Sequence, residues 1–217
     1  MTPKIIKLTL KSASTFGSGD GVAGWVDREI EHDEKGFPFL RGKTLKGLLA
    51  ESAENVTFAL ENDDKTLPWH KAKDTIFGAG GAGLKERGIL HIEDAKLPEP
   101  LRAEMIKENW KKEDVLYSLT GIRRQTSINE HGAPDHATLR SMRVLLPGVT
   151  LEANISFDRE PSDMELQLLT AAVLDFRHAG TGRNRGRGWL KAELDDDQTT
   201  QSLFKSFEKA ISGEAIQ

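Results

Sequence analysis

The sequence predicts an α+β fold, a ferredoxin-like core with insertions, and three observations carry that reading. Residues 4–12 alternate, with Ile6, Leu8 and Leu10 to one side and Lys7, Thr9 and Lys11 to the other, the period of a half-buried strand. Residues 149–157 repeat that alternation through Leu151, Ala153, Ile155 and Phe157. Each strand precedes a helical pattern and then another short strand, so the order β-α-β occurs twice. This favours a ferredoxin-like core over a doubly wound parallel sheet.

The first helical pattern has Leu45, Leu48, Leu49, Ala53 and Val56 at helical spacing, predicting a helix over about Thr44–Leu60. Residues 62–87 read as an irregular insertion ending in the glycine-rich IFGAGGAG. A short strand, Ile89–Asp94, and a charged surface helix, Glu99–Lys112, follow. Tyr117–Ser127 and Met142–Leu146 read as strands flanking the polar excursion SINEHGAPDHATLR. The strongest helix is SDMELQLLTAAVLDFRH, with Ser162 or Asp163 as N-cap and a stripe of Leu166, Leu169, Val173 and Phe176. A loop, AGTGRNRGRG, then leads into a strand, Trp189–Leu194, and a last helix near Gln201–Ile211. Residues 1–217 show no fixed-period repeat and read as one domain.

At 217 residues the chain buries roughly 70% of its unfolded surface on folding, enough for stability without disulfides or a structural metal. The absence of cysteine excludes thiol nucleophiles, redox pairs, iron–sulfur clusters and cysteine-type zinc sites. MTPKIIKLTLK lacks a signal-peptide core and no stretch reaches the roughly 20 apolar residues that span a bilayer, so a soluble cytoplasmic protein without membrane partners is expected. The formal charge is −4, but residues 177–191 carry Arg177, Arg183, Arg185, Arg187 and Lys191 with no acid among them. A locally cationic surface on an acidic protein is therefore expected.

Two stretches suggest phosphate chemistry. In GFPFLRGKTLKGLL, residues 36–49, the GKT triplet is not a Walker A loop, because Phe37 stands where that motif needs glycine. Arg41, Lys43 and Lys46 nevertheless crowd a helix start, where the macrodipole disfavours positive charge and a bound anion would reverse the sign. With Gly42 and Thr44 they suit a phosphate cradle, and equally three solvated side chains on a turn. In GTGRNRGRGW, residues 180–189, an extended backbone would project Arg183, Arg185 and Arg187 to one side while Gly182, Gly186 and Gly188 admit another backbone. Arginine's planar fork suits phosphate, and a loop between the best helix and a Trp-bearing strand is not a loose linker.

Taken in order, these motifs resemble the RAMP superfamily, and within it the repeated, Cas7-like backbone subunit of type III CRISPR effector complexes. GFPFLRGKTLKGLL resembles the family's aromatic–Pro–x–x–Gly turn and helix start, departing from it at Leu40, Arg41, Lys43 and Thr44. IFGAGGAGLKERGILHIEDA resembles its Phe-Gly, variable loop and strand ending in Asp-Ala. LTGIRRQTSINEHGAPDHATLRSMRVLLPGVTLEANISF, with Arg123 and Arg124, resembles its Arg-rich segment, thumb hairpin (residues 124–146 here) and Pro-Gly strand, with Leu151 at the usual aromatic position. GTGRNRGRGWL resembles its carboxy-terminal glycine-rich loop.

The resemblance implies an RRM-like core that binds guide RNA, associates with itself into a filament and with other effector subunits, and meets a target RNA whose nucleotides the thumb displaces. It also implies an endoribonuclease, cutting beside the displaced nucleotide with an aspartate ahead of the Pro–x–x–Gly turn. Val26-Asp27-Arg28 assigns that role to Asp27, with Asp20 and Asp33 as competitors. An aspartate is a feeble general base at neutral pH, so holding Mg²⁺ or Mn²⁺ against the scissile phosphate, with the 2′-hydroxyl attacking, is the expected role. A non-cleaving scaffold and a metal-independent, histidine-using nuclease for guide precursors are the alternatives. His131 and His136 flank Asp135 without a complete zinc set, and His32 near Asp27 reads as a turn residue. For Trp25, Trp69 and Trp110, packing is favoured over base stacking.

Overall fold

The computed structural model describes residues 2–19, 21, 26–61, 67–79, 87–127, 130, 133 and 138–212. The ferredoxin-like core is built from two βαβ halves. The first runs β1 (Ile5–Leu10), β2 (Phe39–Leu40), α1 (Gly42–Glu61), α2 (Pro68–Phe77), β3 (Leu90–Ile92) and β4 (Ala95–Lys96). An excursion of α3 (Glu99–Lys107), α4 (Lys112–Leu119), β5 (Thr120–Gln125) and β6 (Arg140–Leu145) follows. The second half is β7 (Thr150–Phe157), α5 (Asp163–Asp175) and β8 (Leu190–Leu194), with α6 (Asp197–Ser212) after it.

The strands order as β2-β4-β7-β1-β8, with β3 also on β7, and the pairs in this sheet are antiparallel. Alternation sends Ile6, Leu8, Leu10, Leu151, Ala153, Leu190, Ala192 and Leu194 to one buried face, which α1 and α5 cover while packing on each other. The opposite face is a charge ladder: Lys7 lies between Glu193 and Glu152, and Glu152 is in turn paired with Lys96. No aromatic residue sits on that face of the central strands β1 and β7, unlike an RRM sheet that stacks bases.

Local chemistry explains where the elements start and stop. Ser162 is the N-cap of α5: its Oγ accepts from the Glu165 N–H, and the Glu165 carboxylate accepts from the Ser162 N–H at 2.8 Å, a reciprocal box. Arg159 grips the same carboxylate at 2.7 and 2.9 Å. Although burial alone would raise the Glu165 pKa, these hydrogen bonds from Arg159 and Ser162 hold it below its ordinary value.

Several boundaries differ from the sequence reading. The segment 62–87, expected to be irregular, contains helix α2, which buries His70, Ala72 and Ile76. Its Pro68 stands in the first turn, and its Trp69 and His70 N–H groups donate to Glu61, the last residue of α1. The Glu99–Lys112 helix stops at Lys107, because Asn109 turns left-handed (φ 55°) and the Asn109 and Trp110 N–H groups close back on Ile106 and Met105. Tyr117–Leu119 ends α4 rather than opening a strand, since Val115, Leu116 and Leu119 pack at helical spacing. The last helix starts four residues earlier than Gln201, at Asp197. The strands flanking the polar excursion do pair as a hairpin, from Thr120 with Leu145 to Gln125 with Arg140. Most of its tip, including His131, Asp135 and His136, lies outside the described residues.

Candidate nucleic-acid interface

The chain leaves β1 at Leu10 and runs as residues 11–17 beside β6 and the 179–188 loop, and a cleft opens between that loop and the β5–β6 hairpin. Ser14 bridges Leu145, and the Thr181 N–H donates to the Thr15 carbonyl. The cleft, about 470 Å³, is lined by Asp27, Arg28, Gln125, Arg140 to Met142 and the loop from Gly180 to Arg187. A second hollow of about 270 Å³ shares Gly180, Thr181 and Arg183 with it and reaches Arg41, Thr44 and Glu31. The two stretches singled out for phosphate thus line neighbouring hollows that share Gly180, Thr181 and Arg183, and Asp27 lines the first of them.

The arginine loop is not extended, contrary to the sequence expectation. Residues Arg183–Arg185 form one 3-10 turn between left-handed Gly182 (φ 81°) and Gly186 (φ 72°). The cause is packing: at left-handed Gly188 (φ 69°), a Cβ would lie 1.8 Å from the Ala179 carbonyl, so the loop closes on its own chain. Arg183 pairs with Glu51 of α1 at 2.9 Å. Arg185 is exposed and has no ion-pair partner among the described residues. Arg187 donates to Oε1 of the Gln125 side-chain amide at 2.6 Å and touches the Met142 sulfur. Burial, then Arg123 and Arg185, press its pKa down; it is a half-buried cation ringed by cations. Arg123 lies on the same side of β5 as Gln125, whereas alternation turns Arg124 to the other face.

At the helix start the fold has spent the anion site internally. Asp94 accepts the Gly42 N–H at 2.8 Å, putting a carboxylate on the positive end of α1. A Cβ on Gly42 would lie 2.2 Å from the Ile92 carbonyl, so this glycine serves contact with the strand beneath it. Lys46 donates to the Leu90 carbonyl at 2.7 Å, and burial lowers its pKa. Arg41 pairs with Glu31 at 2.7 Å, which raises its pKa. Lys43 and Thr44 remain exposed.

Asp27 is exposed in the cleft. Its Oδ2 accepts from the Ser141 N–H at 2.6 Å and the Ser141 hydroxyl at 3.1 Å. These bonds, with a smaller contribution from Arg140, hold its pKa below the ordinary carboxylate value, which makes it a weak base. Asp33 is committed elsewhere: its Oδ1 accepts the Lys35 and Phe37 N–H groups in a tight turn. His32 lines a different cavity with Tyr117, and Asp20 and Trp25 lie outside the described residues. Trp69 packs edge-on against Phe207, while Trp110 is partly exposed.

Among the described residues no group of three or more His, Asp or Glu side chains stands ready to hold a metal ion. Among the described residues that line the cleft, Asp27 is the one carboxylate that a hard cation could meet. No helix of the described residues is long and apolar enough to cross a membrane. Residues missed by sequence reasoning are Ser141, Gln125 and Arg140, which line the cleft beside Asp27 and Arg187. Their only sequence signal is the strand period of the hairpin that carries them.

Residues 7–191 match the family model of the RAMP superfamily. The fold is similar to a chain of the type III-B Cmr-beta complex in its apo state (TM-score 0.65, 10% identity, 89% of this chain and 97% of that one). It is also similar to a chain of type III-B Cmr-beta bound to cognate target RNA (TM-score 0.63, 10% identity, 94% and 99%). A comparison with curated proteins finds no match.

Proposed function

This chain belongs to the RAMP superfamily, and from that premise we propose that it is a guide-RNA-binding backbone subunit of a type III CRISPR ribonucleoprotein that cleaves complementary target RNA. The observation that carries the reading is the cleft: one carboxylate, Asp27, opposite a loop whose Arg185 and Arg187 have no acid paired with them among the described residues. Likeness to subunits of type III-B complexes, one of them holding cognate target RNA, supports it. Other effector subunits and further copies of this chain, stacked as a filament, are its proposed protein partners.

In this reading Arg185, Arg187 and Arg28 bind the sugar–phosphate chain, and Arg123 adds to their field. Ser141 fixes the Asp27 carboxylate, and Oδ1, which takes neither Ser141 bond, faces the reaction. A bound Mg²⁺ or Mn²⁺, held by Asp27 and phosphate oxygens, would supply charge neutralisation at the scissile phosphate. The target's 2′-hydroxyl gives up its proton to water and its oxygen attacks phosphorus as the P–O5′ bond breaks; the departing O5′ takes a proton from water, leaving a 2′,3′-cyclic phosphate and a 5′-hydroxyl. Alignment comes from the hairpin displacing a nucleotide.

Asp27→Ala in the assembled complex tests the cleavage step. Target cutting is expected to fall by about 10²-fold or more, equivalent to roughly 2.7 kcal/mol, with guide binding unchanged. Cutting at the wild-type rate would leave the second reading, in which this chain is a non-cleaving scaffold and the cut is made elsewhere in the complex, a reading favoured by the hydrogen bonds that already occupy Asp27 Oδ2. A target with a 2′-deoxy substitution at the scissile nucleotide should resist cleavage, and cutting of it would exclude this chemistry.

A further inference from the structure

The segment that carries Asp27 is held on β6 by a buried ion pair two residues beyond Asp27 and Ser141, Glu29 with Arg143. Arg143 Nε donates to Glu29 Oε1 at 2.7 Å, and both side chains are buried (7% and 10% exposed). The Ile30 N–H donates to the same carboxylate oxygen at 2.9 Å. Arg143 also donates from a terminal nitrogen to Thr120 Oγ1 on β5 at 3.1 Å, and its carbonyl accepts from the Thr15 hydroxyl. One guanidinium therefore joins the acidic segment to the hairpin, with the segment that follows β1 tied to the same residue's carbonyl.

Register is what this arrangement supplies. Asp27 with Ser141 and Glu29 with Arg143 share one sequence separation, 114 residues. Between them, the Asp27 N–H donates to the Ser141 carbonyl and the Arg143 N–H to the Arg28 carbonyl. A slip of one residue breaks all of these together and moves Asp27 off the arginine side of the cleft. Net stability is a weak reason to keep such a pair, because a buried ion pair replaced by apolar or neutral groups is often no less stable. Resting on the cleavage reading above, we propose that Glu29 and Arg143 are positioning residues that set Asp27 in register against the RNA cleft.

The test compares Glu29→Gln, Arg143→Met and the double variant in the assembled complex with guide RNA bound. Each single change strands a buried partner and should lower thermal stability; the double removes both charges and should recover most of that loss. In the double variant, cutting is expected to remain reduced by about tenfold or more, and the amides of Asp27, Ser141 and position 143 to exchange at least about tenfold faster, with guide affinity within about twofold of wild type. A merely structural pair gives the opposite: cutting and exchange recover together with stability, which overturns the proposal. Asp27→Ala measured alongside keeps the two readings apart. If Asp27→Ala cuts normally, the cleavage reading fails, and amide exchange in the double variant alone decides whether the pair sets register. Should the double variant not assemble, Arg143→Lys, which keeps the charge but not the fork to Thr120, takes its place with the same expected losses and the same overturning result.

Discussion

The two cationic stretches of this chain look alike in sequence and behave oppositely in the fold. At 41–46, each charge suited to a phosphate has a partner within the chain or stands alone on the surface: Arg41 on Glu31, Lys46 on the Leu90 carbonyl, and the α1 amide on Asp94. At 183–187, only Arg183 is paired with an acid among the described residues, and Arg187 is half-buried beside Arg123 and Arg185. What distinguishes the second stretch is a half-buried arginine set among other arginines after folding, not the density of cations in the sequence.

The contrast breaks most visibly at the loop's backbone. Gly188→Ala places a Cβ against the Ala179 carbonyl at a left-handed φ, and should cost about 3 kcal/mol or more. For a chain of this size that lowers Tm by roughly 6–12 °C, read by thermal denaturation. An unshifted Tm would mean that the loop is not closed on its own chain as described. A smaller effect sharpens the other side. Lys46→Met removes one hydrogen bond and one partly buried ammonium, so stability should change by no more than about 1 kcal/mol. RNA affinity should keep its salt dependence in this variant, and a flattened dependence would return Lys46 to the RNA path.

The core was legible because its strands and long helices carry clean periods: Ile6 to Leu10, Leu151 to Phe157, and the stripe of α5 all lie where alternation and helical spacing put them. Helix α2 was not, since a short amphipathic stretch flanked by glycines and a proline offers few apolar positions to count. Asp27, Arg185 and Arg187 were legible as residue types, and their meeting in one cleft was not. That depends on Ser141 and Gln125, polar residues of a hairpin whose contacts span more than 60 positions of sequence. The Asp-Ala step after β3 illustrates the same limit: its Asp94 caps a helix that begins 52 residues earlier, so the helix start looked like an open anion site.

The most direct test is the salt dependence of binding to a short single-stranded RNA by Arg185→Ala/Arg187→Ala against the wild-type chain. Each phosphate contact contributes about 0.7 to the slope of log affinity against log salt, so the double variant should lose about 1.4. A slope equal to that of the wild type would contradict the cleft as the place where the chain holds RNA.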